Sequence, residues 1–113
     1  MTGFARSERI RRRAEYQEIY KRGVRVHGRY LTLFLMPGQF EVGRLGIAAT
    51  RKLGGAVERN RAKRLIREVF RRNKIAPGFD VVVIPKREFL DASLSTLEAD
   101  YRNLVERRLR QAR

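Results

Sequence analysis

Apolar residues between Val57 and Arg72 recur at the spacing of one face of a helix. They follow the i, i+3, i+4 pattern of an amphipathic helix and are Ala62, Leu65, Ile66, Val69 and Phe70. The Gly54-Gly55 pair just before them supplies backbone freedom at the start of the helix. Glu58 falls in the first turn and basic residues fall in the last, which complements the helix dipole. The pattern therefore predicts a central amphipathic helix.

A period of two predicts a strand over residues 29 to 36, before the central helix. Leu31, Leu33 and Leu35 face one side, and Tyr30, Thr32, Phe34 and Met36 face the other. A second strand is predicted from Arg44 to Thr50, with Leu45, Ile47 and Ala49 on one face. Its other face carries only Gly46, Ala48 and Thr50, so it either lies open as a shallow cleft or receives a closely packed helix.

The chain after the central helix predicts one more strand and one more helix. Asp80 to Pro85 is a continuous apolar run, the pattern of a strand that is covered on both faces. Ser95-Thr-Leu-Glu98 matches a capping box and predicts the start of a helix. The apolar stripe of that helix is Leu97, Tyr101, Leu104, Val105 and Leu109. Strand, helix and strand over residues 44 to 85 suggest a parallel pair joined by the central helix.

The N-terminal part predicts an irregular basic arm over residues 1 to 12 and then a short helix that ends at Gly23. Tyr16 and Tyr20 are four residues apart and share one face of this helix. They either pack in the core or form a stacking surface for unpaired nucleotides. There are no internal repeats and no linker, so we expect residues 1–113 to form a single domain.

Charge narrows the class of partner. The 113 residues carry 27 Lys and Arg against 12 Asp and Glu, a net charge of +15. On the central helix Arg59, Asn60, Lys63, Arg64, Arg67 and Arg71 fan across the side opposite the apolar stripe. A solvated face is one interpretation, but Glu68 is the only acid between Arg59 and Arg72, and like charges at i, i+4 repel. A polyanion would turn that repulsion into attraction, with nucleic acid favoured over an anionic membrane surface.

The side chains offer little catalytic chemistry. The chain has no cysteine, which excludes disulfides and thiolate metal sites and is compatible with the cytosol. The single histidine, His27, lies in a predicted VRVHGR loop and fits a surface or RNA contact better than a general base. The carboxylates are scattered, without the clusters that hold two Mg²⁺ ions for phosphodiester cleavage. We expect no bilayer span and no secretory signal, and a binding protein rather than a nuclease acting alone.

Four stretches of this sequence together resemble the protein subunit of bacterial ribonuclease P. The run AVERNRAKRLIR at residues 56–67 is similar to that family's signature, in which an R-N-R triplet opens a basic helix. RIRRRAEYQEIYKRG resembles the family's first helix, RLGIAATRKLGGAVERNR its strand and the loop before the R-N-R helix, and DVVVIPKREF its last strand. The resemblance covers essentially the whole chain.

The resemblance implies an α+β fold with the order α-β-β-β-α-β-α, and a left-handed βαβ crossover against the usual right-handed rule. It also implies a partner, a large catalytic RNA that uses Mg²⁺ to hydrolyse precursor tRNA and release the mature 5′ end. The protein would bind that RNA and the single-stranded 5′ leader, as a monomer in a 1:1 cytoplasmic complex without a membrane. Catalysis would reside in the RNA, so no residue of this chain is expected to be catalytic.

The resemblance also assigns residues to two surfaces. The RNA-binding face, which we call the basic face, comprises Arg59, Asn60, Arg61, Lys63, Arg64, Arg67 and Arg71. The leader-binding cleft comprises Tyr16, Tyr20, Phe34, Ala48 and Lys52. Tyr16 stands where phenylalanine is usual, Gly55 replaces a frequent asparagine, and Ala48 replaces a frequent serine. The alternative function is a ribosomal or general RNA-binding protein without catalytic association, and a DNA-binding architectural protein is a third, weaker alternative.

Overall fold

The computed structural model describes residues 8–111, which form helices around one mixed sheet. The elements in chain order are α1 (Arg13–Arg22), β1 (Val24–His27), β2 (Leu31–Pro37), β3 (Arg44–Ile47), α2 (Ala56–Arg72), β4 (Phe79–Pro85), a short 3₁₀ helix (Arg87–Asp91) and α3 (Leu94–Gln111). This order confirms the predicted α+β fold. Of the helices in residues 8–111, none has an apolar stretch long enough to span a bilayer.

The sheet has the strand order β1-β2-β4-β3. β1 pairs with β2 and β2 with β4 in antiparallel fashion, while β3 and β4 are parallel. Parallel neighbours need a long crossover, and α2 supplies it, as the pattern over residues 44 to 85 predicts. The left-handed sense of this crossover is implied by the resemblance and stays a prediction.

One face of the sheet carries the main core. Leu31, Leu33 and Leu35 all point to this face, as their spacing predicts, and each is at most 2% exposed. The apolar stripes of α2 and α3 pack against them, contributing Ala62, Ile66, Val69, Phe70, Leu97, Tyr101, Leu104 and Val105. The amphipathic pattern of both helices is therefore confirmed, and packing of this face is what stabilises them.

The opposite face is covered less completely, by α1. Ile19 of α1 and Val82 of β4 are buried there together with Ile10, which lies before the helix. Phe34, Met36, Ala48 and Ile84 also face this side but remain half-buried. β4 is thus packed on both faces, as predicted, but the second face keeps a partly open apolar surface.

Two glycines have a local structural reason. Gly54 adopts φ +146°, a conformation that side-chain-bearing residues rarely adopt, and so permits the turn before α2. Gly55 has an ordinary φ of −80°, so only one residue of the predicted pair needs to be glycine. The amide of Gly55 donates to Oε1 of Glu58 at 2.8 Å, which satisfies a backbone donor at the start of α2.

Three predicted local features are corrected by the structure. The VRVHGR stretch contains strand β1, so His27 ends an edge strand instead of lying in a loop, and its Nδ1 lies 3.2 Å from Oγ1 of Thr32. β3 ends at Ile47, three residues before the predicted end at Thr50. β1 has no periodic pattern of its own because only Val26 of its residues is buried.

The third correction concerns the start of α3. The helix begins at Leu94, and Ser93 caps it: Thr96 donates its amide to the Ser93 Oγ at 3.2 Å, and Leu97 donates to the Ser93 carbonyl at 3.0 Å. Ser95 therefore lies inside the first turn and is not the cap. Glu98, the predicted partner in the capping box, accepts a hydrogen bond from Asn73 Nδ2 at 2.9 Å.

Candidate nucleic-acid interface

α2 presents the basic face opposite its packed stripe. Arg59, Lys63 and Arg67 are half-buried, while Asn60, Arg61 and Arg64 are exposed. None of the cations among these six forms an ion pair with a carboxylate of the described residues. They form a one-signed surface that a phosphate backbone could neutralise.

Arg71 differs from the rest of the basic face. Its guanidinium hydrogen-bonds Glu68, with Nε 3.2 Å from Oε1. This contact raises the pKa of Arg71 and lowers the pKa of the Glu68 carboxyl. Arg71 is therefore partly neutralised within the protein, and it offers less to a polyanion than the other cations of the face.

Aromatic residues of α1 and β2 meet on the partly open face of the sheet. The ring centroids of Tyr16 and Tyr20 are 6.3 Å apart, and those of Tyr20 and Phe34 are 5.0 Å apart with an edge-on angle of 70°. Tyr20 is 39% exposed, and Phe34 and Ala48 are half-buried. Four of the five residues assigned to the leader-binding cleft thus lie on one surface, with the accessibility that a stacking platform needs.

Lys52, the fifth residue, is exposed in the turn that follows β3. It lies next to Leu53, which is buried in the main core and so anchors this turn.

The small-residue face that the sequence predicts over residues 44 to 50 is packed at Gly46 and open beyond the end of β3, so each interpretation holds for one end. A Cβ atom added to Gly46 would lie 2.8 Å from Cε1 of Tyr16, so the tyrosine ring rests directly on the strand there. Ala48 remains half-buried and Thr50 is exposed. Glycine at position 46 is what allows α1 to approach this closely.

A cleft of about 330 Å³ opens between β3, α2 and the residues before α1. We call it the cationic cleft; it is lined by Arg9, Ile10, Arg11, Tyr16, Leu45, Ile47, Lys63 and Arg67. Its size is in the range of ligand-binding clefts. Sequence reasoning placed Arg9 and Arg11 in an irregular arm and missed their part in this cleft.

The signal for that placement is Ile10, the one apolar residue among arginines. Ile10 is only 4% exposed, and its amide donates to the Leu45 carbonyl at 2.9 Å. The neighbouring Arg9 forms an isolated parallel bridge with Leu45. We call Glu8–Arg12 the N-terminal segment; residues 1–7 of the predicted arm lie outside the described residues.

A nearby ion-pair network fixes α1 to the parallel strands. Arg44 donates to both carboxylate oxygens of Asp80 at 2.9 Å and to Glu15 of α1 at 2.8 Å. These bonds raise the pKa of Arg44, and the Arg44 bond lowers the pKa of Glu15. The network holds α1, and with it the tyrosines, in place over the sheet.

Metal-binding chemistry is sparse in this part of the molecule. Within residues 8–111, no three His, Asp or Glu side chains lie close enough together to hold a metal ion. We therefore assign no residue of the described chain to a metal.

The family model for ribonuclease P matches residues 4–110. This chain belongs to the ribonuclease P protein family. The ribonuclease P protein component of Thermotoga maritima is 39% identical over 110 residues, covering 92% of this chain and 94% of that protein. The component of Clostridioides difficile is 33% identical over 107 residues, with the same coverage of 92% and 94%.

Solved ribonuclease P proteins share the fold as well as the sequence. The T. maritima protein structure has a TM-score of 0.80 at 39% identity and covers 88% of this chain and 96% of its own. The Staphylococcus aureus protein has a TM-score of 0.78 at 32% identity, covering 88% and 93%. These matches confirm the resemblance carried by the R-N-R helix and the stretches around it.

Proposed function

We propose that this chain acts as the protein subunit of a ribonuclease P holoenzyme, binding a catalytic RNA and the 5′ leader of precursor tRNA. Membership of the ribonuclease P family supports the holoenzyme role. The observation that carries the RNA-binding part is the one-signed basic face of α2, whose cations other than Arg71 form no ion pair with a carboxylate of the described residues. Arg59, Asn60, Arg61, Lys63, Arg64 and Arg67 would meet the catalytic RNA, and Arg71 would contribute less.

The leader would lie on the partly open face of the sheet. Tyr20 supplies exposed ring surface for unpaired bases, and the half-buried Phe34 and Ala48 continue that surface. Tyr16 connects it to the cationic cleft, which it also lines. Lys52, exposed beyond β3, would contact a phosphate of the leader. An unpaired leader suits this surface because stacking needs bases that are free of a duplex.

The hydrolytic chemistry would belong to the RNA partner. Mg²⁺ would polarise the phosphodiester and activate the attacking water when bound by the RNA and the substrate. Within residues 8–111 no three His, Asp or Glu side chains could hold a metal ion by themselves, and the protein would contribute binding and orientation of the substrate. We further propose a cytoplasmic 1:1 complex with the RNA, in which the protein is monomeric and contacts no membrane.

Reconstitution tests this function. Purified protein mixed with a bacterial ribonuclease P RNA at low Mg²⁺ should increase the rate of 5′ maturation, and more so for a precursor with a leader several nucleotides long than for one with a single-nucleotide leader. Binding to the RNA without any gain in maturation would favour the alternative, a general RNA-binding protein. Maturation by the protein in Mg²⁺ without RNA would refute catalysis by the partner.

A further inference from the structure

β3 lies at the edge of the sheet, and its outer backbone groups need partners. The Leu45 carbonyl accepts a hydrogen bond from the Ile10 amide at 2.9 Å. Two residues further along β3, the Ile47 amide donates to the hydroxyl of Tyr16 at 3.1 Å. A backbone amide that alternates with these, that of Ala48, points inward to Val83 of β4. The hydroxyl of Tyr16 therefore supplies the hydrogen-bond acceptor that a backbone carbonyl of a neighbouring strand would otherwise supply to Ile47.

The same hydroxyl also reaches the N-terminal segment. It donates to the Ile10 carbonyl at 3.3 Å while it accepts from Ile47. A phenol hydroxyl has one O–H donor and can also accept. Here the donor binds Ile10 and the acceptor binds Ile47, so both are satisfied at once. Because the ring rests on Gly46, the hydroxyl is held at the junction of the N-terminal segment, α1 and β3.

This junction matters because the cationic cleft is lined from two sides by like charges. Arg9 and Arg11 come from the N-terminal segment, and Lys63 and Arg67 come from α2. No acid is among the residues that line the cleft, so Arg11 on one side repels Lys63 and Arg67 on the other. Contacts at each end of the segment oppose this repulsion: Glu8 pairs with Lys74, and the amide of Arg11 donates to Glu15 at 3.3 Å.

We propose that the hydroxyl of Tyr16 is a positioning group, which holds the N-terminal segment on β3 so that Arg11 and Lys63 flank one cleft for a single-stranded RNA backbone. This inference rests on the proposed function for the identity of the ligand. Tyr16 then does more than present a ring, and a phenylalanine there would keep the aromatic surface but lose the attachment of the segment.

Tyr16→Phe tests the attachment in the free protein. The variant removes one oxygen and keeps the ring, so the fold is retained, and the urea midpoint checks this. Hydrogen exchange of the Ile47 amide should become faster by roughly tenfold or more, because its acceptor is gone. Tyr30→Phe, which removes a tyrosine hydroxyl outside the cleft, should leave that amide at the wild-type rate. Unchanged exchange of Ile47 in Tyr16→Phe would overturn the proposal.

A double-mutant cycle tests the positioning role, with a single-stranded oligouridylate as the probe. Tyr16→Phe should weaken binding by roughly three- to tenfold and lower the salt slope by about 0.7, the share of one phosphate. Arg11→Ala should reduce the affinity of the wild-type protein for the oligouridylate. In the Tyr16→Phe background the same substitution should reduce affinity much less, because Arg11 has already left the cleft. Lys63→Ala should cost the same in both backgrounds. Full additivity of Tyr16→Phe and Arg11→Ala would contradict positioning.

The two proposals fail separately. Neither hydrogen exchange of the Ile47 amide nor the double-mutant cycle of oligouridylate binding requires a ribonuclease P RNA. If reconstitution shows no gain in maturation, the proposed function falls, while coupling between Tyr16 and Arg11 still supports the positioning role. If maturation increases and the coupling is absent, the holoenzyme role stands and the Tyr16 inference is lost.

Discussion

At the scale of single residues, Arg44 shows how one side chain can fix several elements. Its guanidinium binds Asp80 of β4 through two parallel bonds and Glu15 of α1 through a third, while the side chain is only 13% exposed. Paired, charge-assisted geometry of this kind is stronger and more directional than a surface ion pair. Removing Arg44 would leave a buried Asp80 carboxylate without its cation, which is costly.

Glu15 should make the stability of the protein depend on acid pH. Its bond to Arg44 lowers the pKa of Glu15 from the ordinary value of 4.5. A carboxyl with a depressed pKa in the folded state stabilises above its unfolded pKa, and that stability is lost as the pH falls through the folded pKa. We expect the free energy of unfolding, measured in urea, to decline below about pH 4.5 partly for this reason.

Glu15→Gln is the matched control for this acid dependence. The variant should be less stable than wild type at neutral pH, and the difference should shrink as the pH is lowered below 4.5. A constant difference between the two proteins from pH 3 to pH 7 would show that the Glu15 carboxylate is not responsible.

At the scale of elements, α2 combines a packed stripe with a repulsive surface. The pairs Arg59/Lys63 and Lys63/Arg67 are like charges at i, i+4, and each destabilises a helix by a few tenths of a kcal/mol. Burial of Ala62, Ile66 and the rest of the stripe outweighs that cost, at about 0.8 kcal/mol for each buried CH₂. The helix can therefore keep Arg59, Lys63 and Arg67 available for a partner.

Single alanine substitutions on the basic face should report on phosphate contacts. Arg59→Ala, Arg64→Ala and Arg67→Ala should each weaken binding to the catalytic RNA and reduce the slope of log K against log salt by about 0.9. Arg71→Ala should reduce the slope less, because Glu68 already neutralises part of its charge. Filter binding over a range of salt measures both quantities, and slopes that stay at the wild-type value in all four variants would exclude this face as the interface.

The start of α3 gives a second prediction at this scale. Ser93→Ala removes the oxygen that accepts the Thr96 amide, and it should lower the free energy of unfolding by about 1 kcal/mol. Ser95→Ala, two residues further on and inside the first turn, should change it by less than about 0.5 kcal/mol. Equal losses in the two variants, measured by urea denaturation, would contradict the assignment of the cap.

The elements differ in how far their sequences could predict them. α2, α3, β2 and β4 bury a regular stripe or run, so periodicity located them to within a few residues. β1 has four residues with only Val26 buried, so it exists through its pairing with β2 and not through its own pattern. The prediction that Ser95 caps α3 was wrong, because Ser93, two residues earlier, has the same hydroxyl and accepts the Thr96 amide.

The candidate site likewise has one part that the sequence pattern predicts and one part that it does not. The spacing of Tyr16 and Tyr20 predicted that they share a face, and the alternation of β2 predicted that Phe34 lies apart from the leucine core. The cationic cleft depends on contact between Ile10 and Leu45, which are 35 residues apart in the chain. Such a pairing leaves no periodic trace. The lone Ile10 among arginines indicates that the segment is anchored by burial but not where, so only the structure could place Arg11 beside the R-N-R helix.

At the scale of the whole molecule, the sheet has two unequal faces. α2 and α3 close the face that holds the main core, whereas α1, a helix of ten residues, covers only part of the other. A net charge of +15 opposes compaction of the chain through self-repulsion. The partly open face and the excess of positive charge together suit a molecule that is completed by a large polyanion, which would stabilise the folded state by binding it.

The contact between Tyr16 and Gly46 also limits how this chain can change over evolutionary time. The ring occupies the space that any side chain at position 46 would need, at a separation of 2.8 Å. The constraint acts on position 46: a residue with a side chain becomes acceptable there only after the ring at 16 has been lost, whereas a change at 16 that keeps the ring leaves the glycine necessary. We therefore expect the two sites to co-vary among homologues.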